Sequence, residues 1–80
     1  MTTITYQPKG VCSRYMEIDL EGDVIVEARV QGGCNGNLQG LCALLKGMTV
    51  ADAIARLEGI HCGPRPTSCP DQMAQALKQA

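Results

Sequence analysis

Apolar and polar residues alternate in two neighbouring stretches, residues 14–20 and residues 24–30. A period of two is typical of a β-strand that buries one face. The turn Glu21-Gly22-Asp23 lies between the stretches, so the pattern predicts a β-hairpin. Residues 4–6 fit a short edge strand beside it. The residues predicted to point inward are Met16, Ile18, Leu20, Val24, Val26, Ala28 and Val30.

After Gly33 the apolar period changes to 3.6, which is typical of helices with one buried face. The three apolar stripes are Leu38, Leu41, Cys42 and Leu45; Val50, Ala53, Ile54 and Leu57; and Met73, Ala76, Leu77 and Ala80. Thr49 with Asp52 forms a capping pair, and Pro70 suits the first turn of the third helix. The order predicts an α+β fold, in which a small antiparallel sheet of two or three strands is followed by three helices on one face. No linker or repeat divides the chain, so residues 1–80 are predicted to be one domain.

Composition narrows the class of protein. A chain of 80 residues without Phe or Trp has a small core, so a bound metal or a homodimer interface would add needed stability. The net charge of -1, with no basic stripe, argues against nucleic acid as a partner. No apolar run approaches the roughly 20 residues of a spanning helix, and the first residues lack the features of a signal peptide. We therefore expect a cytoplasmic protein that does not bind membranes.

Five cysteines are a large share of 80 residues. Their odd number and the absence of an export signal favour reduced thiols over a disulfide framework. Cys42 lies in the apolar stripe of the first helix and is predicted to pack in the core. If the strand predicted at residues 14–20 extends back to Cys12, this residue points to the same side as Met16, Ile18 and Leu20. We favour a core position for Cys12; the alternative is that Cys12 lines whatever lies at the strand end.

Cys34, Cys62 and Cys69 lie in Gly- or Pro-rich stretches outside any apolar stripe. Cys34 and Cys69 are near predicted helix starts, where a thiol pKa is lowered. The thiolate is the form that binds metal, so we expect these three residues to converge on a zinc ion or an iron-sulfur cluster. Zinc takes four ligands, and His61, next to Cys62, is the natural candidate for the fourth. The alternative, that this lone loop histidine is only a solvated side chain, is given equal weight. Asp71, Cys12 and water are the other possibilities.

Two other functions fit the same residues. In a thiol redox module, Cys69 would attack and Cys62 or Cys34 would resolve. In a non-catalytic interaction domain, the thiols would only pack, and the Gly-rich turn at residues 32–37 would serve at most as a weak nucleotide-binding element.

Thr67-Ser68-Cys69-Pro70-Asp71 spells the signature of the TSCPD domain, and residues 32–37, Gly-Gly-Cys-Asn-Gly-Asn, look like its other hallmark. The resemblance covers nearly the whole chain. It implies a stand-alone member of a domain otherwise found near the C-terminus of adenosylcobalamin-dependent ribonucleotide reductases. The chain lacks the large catalytic barrel of those enzymes, so the resemblance implies an accessory to a ribonucleotide reductase rather than an enzyme on its own.

A more distant similarity is to the iron-sulfur cluster assembly scaffold family. Residues 22–30 look like the strand that precedes the scaffold's first cysteine, which matches Cys34. Residues 46–53 resemble its turn into the next helix, and Cys62 and Cys69 match its second and third cysteines. The similarity implies a scaffold-like fold and an iron-sulfur assembly protein as a partner. Ser68 stands where the scaffold has a histidine before its last cysteine.

Overall fold

Three strands precede three helices in the computed structural model, which describes residues 1–33 and 35–79 apart from the side chain of Asn35. The strands are β1 (Thr2–Tyr6), β2 (Ser13–Glu21) and β3 (Val24–Gly32). The helices are α1 (Asn35–Leu45), α2 (Val50–Leu57) and α3 (Cys69–Leu77). The predicted α+β arrangement of a small antiparallel sheet followed by three helices is confirmed. Ala80, predicted to end the third stripe, lies outside the described residues.

The strands form one antiparallel sheet in the order β1-β2-β3. The edge strand predicted at residues 4–6 is present, and Ile4 pairs with Ile18 of the central strand. Met16, Ile18 and Leu20 are all buried, as their alternation predicts. The opposite face of the sheet is polar, and there the Arg29 guanidinium forms ion pairs with Glu17, Asp19 and Glu27.

A β-bulge in β3 places Val26, which is predicted to point inward, on the exposed side of the sheet. Leu20 pairs with Ile25, but the preceding residue of β2, Asp19, pairs with Glu27, so Val26 is the extra residue. Ile25 is 0% exposed whereas Val26 is 37% exposed. The prediction that Val26 points inward is wrong, because one inserted residue moves its neighbours to the other face.

The connection between α1 and α2 pairs with β3 beside the bulge. The backbone N–H of Ile25 donates to the Met48 carbonyl at 2.8 Å, and the N–H of Gly47 donates to the Ile25 carbonyl at 2.8 Å. A single antiparallel bridge between Val24 and Thr49 continues this contact. The helix connection thus pairs with the first residues of β3 and ties the helices to the sheet.

The helices cover one face of the sheet. α1 contacts β3, α3 contacts β1 and β2, and α2 packs on α3. Thr49 caps α2 as predicted, because its side chain accepts a hydrogen bond from the Asp52 N–H at 3.2 Å. The core joins both layers and contains Ile4, Met16, Ile18, Leu20, Ile25, Ala28, Leu45, Ala53, Met73, Ala76 and Leu77. Within the described ranges, no helix has the length and apolar character to cross a membrane.

The bulge yields a matched pair of variants. Ile25→Ala removes a fully buried side chain and should lower the free energy of unfolding by about 2–5 kcal/mol. Val26→Ala removes a partly exposed side chain on the other face and should cost less than about 1 kcal/mol. Urea denaturation followed by circular dichroism measures both. A larger loss for Val26→Ala than for Ile25→Ala would contradict the bulge.

Candidate thiol site

Helix α3 begins at a side-chain cap. Ser68 adopts an extended conformation and its hydroxyl accepts a hydrogen bond from the Asp71 N–H at 3.1 Å. The same hydroxyl donates to the Ile60 carbonyl at 2.7 Å. Pro70 lies in the first turn, where its missing N–H costs nothing. Cys69 is consequently the first helical residue, and its position is fixed by residues on both sides.

The Asp71 carboxylate holds the loop between α2 and α3. Asp71 is buried, and its carboxylate accepts hydrogen bonds from the Thr67 hydroxyl and, at 2.8 Å, from the Gly59 N–H. The Thr67 hydroxyl and then the Gly59 N–H are the main causes that lower the pKa of Asp71, and the nearby His61 contributes in the same direction. Asp71 is therefore a structural carboxylate, occupied by donors from both ends of the loop.

Gln72 extends this network to the sheet. Its side-chain oxygen accepts hydrogen bonds from the Tyr6 hydroxyl at 3.1 Å and from the Lys9 N–H at 3.0 Å. Its side-chain nitrogen donates to the Thr67 hydroxyl at 3.0 Å. The buried amide thus connects the end of β1 and the loop after it to the first turn of α3.

The start of β2 meets the start of α3 at the Cys69 thiol. The Ser13 hydroxyl donates to Cys69 Sγ at 3.3 Å, and Cys12 Sγ lies 3.8 Å from Cys69 Sγ. Burial raises the pKa of the Cys69 thiol, but the hydrogen bonds from Ser13 and Cys12 together outweigh burial and lower it. This direction agrees with the prediction, but the groups that lower the pKa belong to β2 and the loop before it rather than to the N–H groups of α3.

The prediction that favoured Cys12 as a core residue is wrong. β2 begins at Ser13, and the pairing with β3 shifts register between Ser13 and Tyr15. This shift buries Ser13 and leaves Cys12 exposed. The alternative prediction, that Cys12 lines whatever lies at the strand end, is confirmed, because Cys12 lines a cleft there.

A cleft of about 220 Å³ is lined by three cysteines and by apolar side chains. Its walls include Cys12, Cys62, Cys69, Leu38, Leu41 and Pro70. The loop position of Cys62 is set by its backbone, whose N–H donates to the Thr67 carbonyl at 3.1 Å and whose carbonyl accepts from the Arg65 N–H at 3.1 Å. Cys62 and Cys69 therefore reach the same cleft, as the sequence predicts.

Cys34, the third predicted thiol ligand, lies outside the described residues. The preceding Gly33 lies against the site, because a Cβ built there would be 3.1 Å from Cys12 Sγ and 2.9 Å from Leu38 Cδ1. Its φ of 73° also suits glycine. Asn37, three residues after Cys34, lines the cleft.

The remaining candidates lie elsewhere. His61 is exposed and lies near the Asp71 carboxylate rather than among the residues that line the cleft. Cys42 is half-buried and packs against the core, where burial raises its thiol pKa, as its place in the α1 stripe predicts. Across residues 1–33 and 35–79, no group of three or more His, Cys, Asp and Glu side chains is arranged to hold a metal ion. The role of the predicted set Cys34, Cys62, Cys69 and His61 as metal ligands stays a prediction.

The Asp71 network predicts a pH-dependent stability. Asp71→Asn removes the ionised acceptor and should lower the free energy of unfolding at pH 7 by about 1–3 kcal/mol. A carboxylate with a lowered folded-state pKa stabilises above its unfolded pKa, about 3.9, and this contribution is lost as the pH falls through the folded value. The difference between variant and parent should thus shrink below about pH 4 in urea denaturation series. Asp52→Asn, at the corresponding position of the exposed α2 cap, is the control, and an equal loss there would contradict the assigned role.

The hydrogen bond from Ser13 to Cys69 Sγ predicts that Ser13 affects the reactivity of the Cys69 thiol. Ser13→Ala removes a hydroxyl that donates to Sγ, so the pKa of the Cys69 thiol should rise. The pH dependence of Cys69 alkylation by iodoacetamide, followed by peptide mass spectrometry, measures this change. Arg14→Ala, at the exposed neighbouring residue, should leave the alkylation profile unchanged. An unchanged profile in Ser13→Ala would show that the hydroxyl does not act on Cys69.

Comparisons with known proteins assign the chain to a family. Neither curated proteins nor solved structures give a match. The ribonucleotide reductase and iron-sulfur assembly partners, and the scaffold similarity, stay predictions. A family model, the TSCPD domain, matches residues 2–80. The match spans all three strands and all three helices, including the five-residue motif that builds the α3 cap. This chain belongs to the TSCPD domain family.

Proposed function

We propose that the cleft is a thiolate site for a tetrahedral metal centre, either a zinc ion or an iron-sulfur cluster. The separation of 3.8 Å between Cys12 Sγ and Cys69 Sγ carries this proposal. Two sulfurs bound about 2.3 Å from one tetrahedral zinc lie about 3.8 Å apart. The two thiols therefore already have the separation of neighbouring ligands.

The environment of the pair supports metal binding. Metals bind the thiolate, and the hydrogen bonds that lower the pKa of Cys69 favour this form. Ser13 would act as a supporting donor that orients and tunes a ligand sulfur. Cys12 is exposed, so an ion can reach the pair from solvent.

The proposed ligand set is Cys12, Cys34, Cys62 and Cys69. Cys62 lines the same cleft, and Gly33 brings the chain against Cys12 one residue before Cys34. Cys12 takes the fourth place in this set because it adjoins Cys69, whereas His61 lies on the side of Asp71. The Asp71 carboxylate is less suited, because Thr67 and Gly59 already donate to it.

A metal in this position would also stabilise the fold. Cys12 precedes β2, Cys62 lies in the loop after α2, and Cys69 begins α3. One ion would cross-link these segments in a chain whose small core has no Phe or Trp. In this proposal the chain is a metal-carrying module rather than an enzyme on its own. The resemblances suggest a ribonucleotide reductase or an iron-sulfur assembly protein as its partner.

Metal analysis tests the proposal. The chain is purified without oxygen and without added metal, and zinc, iron and the visible absorption spectrum are measured. We expect about one metal centre per chain. The Cys12→Ser and Cys69→Ser variants should lose most of it, because each lacks a ligand sulfur. Cys42→Ala, which removes a thiol outside the cleft, should keep the parent's metal content.

The other outcomes identify the alternative functions. A metal-free parent with a reversible disulfide in the cleft would replace this proposal with a thiol redox module. A metal-free parent with thiols that neither oxidise nor alter stability when changed to serine would leave an interaction domain.

A further inference from the structure

We infer that Cys12 and Cys69 form a reversible disulfide, and that this disulfide prevents metal binding. This inference rests on the proposed function, since the same two sulfurs are proposed ligands. A sulfur in a disulfide carries no thiolate charge, so the oxidised pair has lost two of the four proposed ligands. The site would hold metal only while the pair is reduced.

The contacts around the pair favour this disulfide. The two Sγ atoms lie 3.8 Å apart and would need to approach by about 1.8 Å to reach the bond length of about 2.05 Å. Cys69 is held by the α3 cap. Cys12 is exposed and precedes the first residue of β2, so its side chain has room to move toward Cys69.

The backbone on either side of Cys12 is tied to α3. The N–H of Lys9 donates to the Gln72 side chain at 3.0 Å, and the Ser13 hydroxyl donates to Cys69 Sγ at 3.3 Å. These bonds hold the residues between them along the first turn of α3. Cys62 lines the cleft, yet among the thiols of residues 1–33 and 35–79 it is Cys12 whose Sγ hydrogen-bonds Cys69. Cys12 is therefore the resolving thiol.

The oxidant is a small-molecule disulfide of the glutathione class. The Cys69 thiolate attacks one of its sulfurs, which forms a mixed disulfide and releases one thiolate that takes up a proton. Cys12 then gives its proton to solvent and attacks Cys69 Sγ, which releases the second thiolate. Two protein thiols are oxidised by two electrons in total, and one disulfide is reduced to two thiols. A dithiol reductant reverses the reaction.

The experiment uses the full chain loaded with zinc. Oxidised glutathione is added, zinc release is followed with a colorimetric chelator, and the disulfide is mapped by peptide mass spectrometry under non-reducing conditions. We expect loss of two of the five thiols, a Cys12–Cys69 linkage, release of the zinc and its rebinding after reduction. In Cys12→Ser, Cys69 should instead stop at the mixed disulfide and carry one glutathionyl group. Cys42→Ala should behave like the parent chain.

The outcomes separate this inference from the metal proposal. A reduced chain that binds no zinc would overturn the metal proposal. It would also overturn the inference that the disulfide controls metal binding. A reduced chain that binds zinc but forms a disulfide between other cysteines, such as Cys62 and Cys69 or Cys34 and Cys69, would overturn this inference alone. Retention of zinc by a chain that carries the Cys12–Cys69 disulfide would do the same.

Discussion

The hydrogen-bonded start of α3 is the constraint on which the site depends. The hydroxyl of Ser68 caps the helix and also bonds the Ile60 carbonyl, while the buried Asp71 carboxylate accepts from Thr67 and from the backbone of Gly59. A capping side chain satisfies helix N–H groups that would otherwise lose their partners. In the motif that defines the family, four residues therefore form and hold the start of the helix, and the fifth, Cys69, supplies the thiol.

The start of α3 becomes part of a thiol cleft because the end of β1 and the start of β2 lie beside it. Gln72 bonds Tyr6 and Lys9, so the end of β1 and the loop after it are fixed beside α3. The chain then enters β2 at Ser13, whose hydroxyl donates to the Cys69 sulfur. The Cys12 and Cys69 thiols come within 3.8 Å although 57 positions separate them in the sequence. Loop and sheet contacts, rather than local sequence, create the pair.

The sequence predicts those features whose causes are local. The caps of α2 and α3 depend on residues three positions apart, and the strand parity of β2 depends on neighbours two positions apart. The α2 cap was predicted from Thr49, the start of α3 from Pro70, and the strand parity from the alternation of Met16 with Ile18; the α3 cap at Ser68 was not predicted. The same local reasoning predicts the lowered pKa of Cys69 from its place at a helix start, but the donors that lower it lie far away in the sequence. The convergence of Cys62 and Cys69 on one cleft was also predictable, since a short loop joins them.

The features that the sequence does not predict depend on pairing between distant segments. Val26 turns outward because it is the extra residue of a bulge in the pairing of β2 with β3, next to the point where the connection between α1 and α2 pairs with Ile25. Cys12 is exposed rather than part of the core, because a register shift in the pairing of β2 with β3 buries Ser13 instead. The burial of Asp71, which alternation and helical periodicity give no reason to expect, follows from donors in the preceding loop and at the end of α2. An irregularity in strand pairing leaves no periodic signal in either strand alone.

We propose that Cys12 and Cys69 are neighbouring ligands of one metal ion. X-ray absorption at the zinc edge of the reduced, zinc-loaded chain tests it most directly, by comparing the parent with Cys12→Ser. We expect sulfur neighbours at about 2.3 Å in the parent and one fewer around the zinc that the variant still binds when zinc is added, with an oxygen or nitrogen in its place. An unchanged number of sulfur neighbours in Cys12→Ser would contradict the proposal.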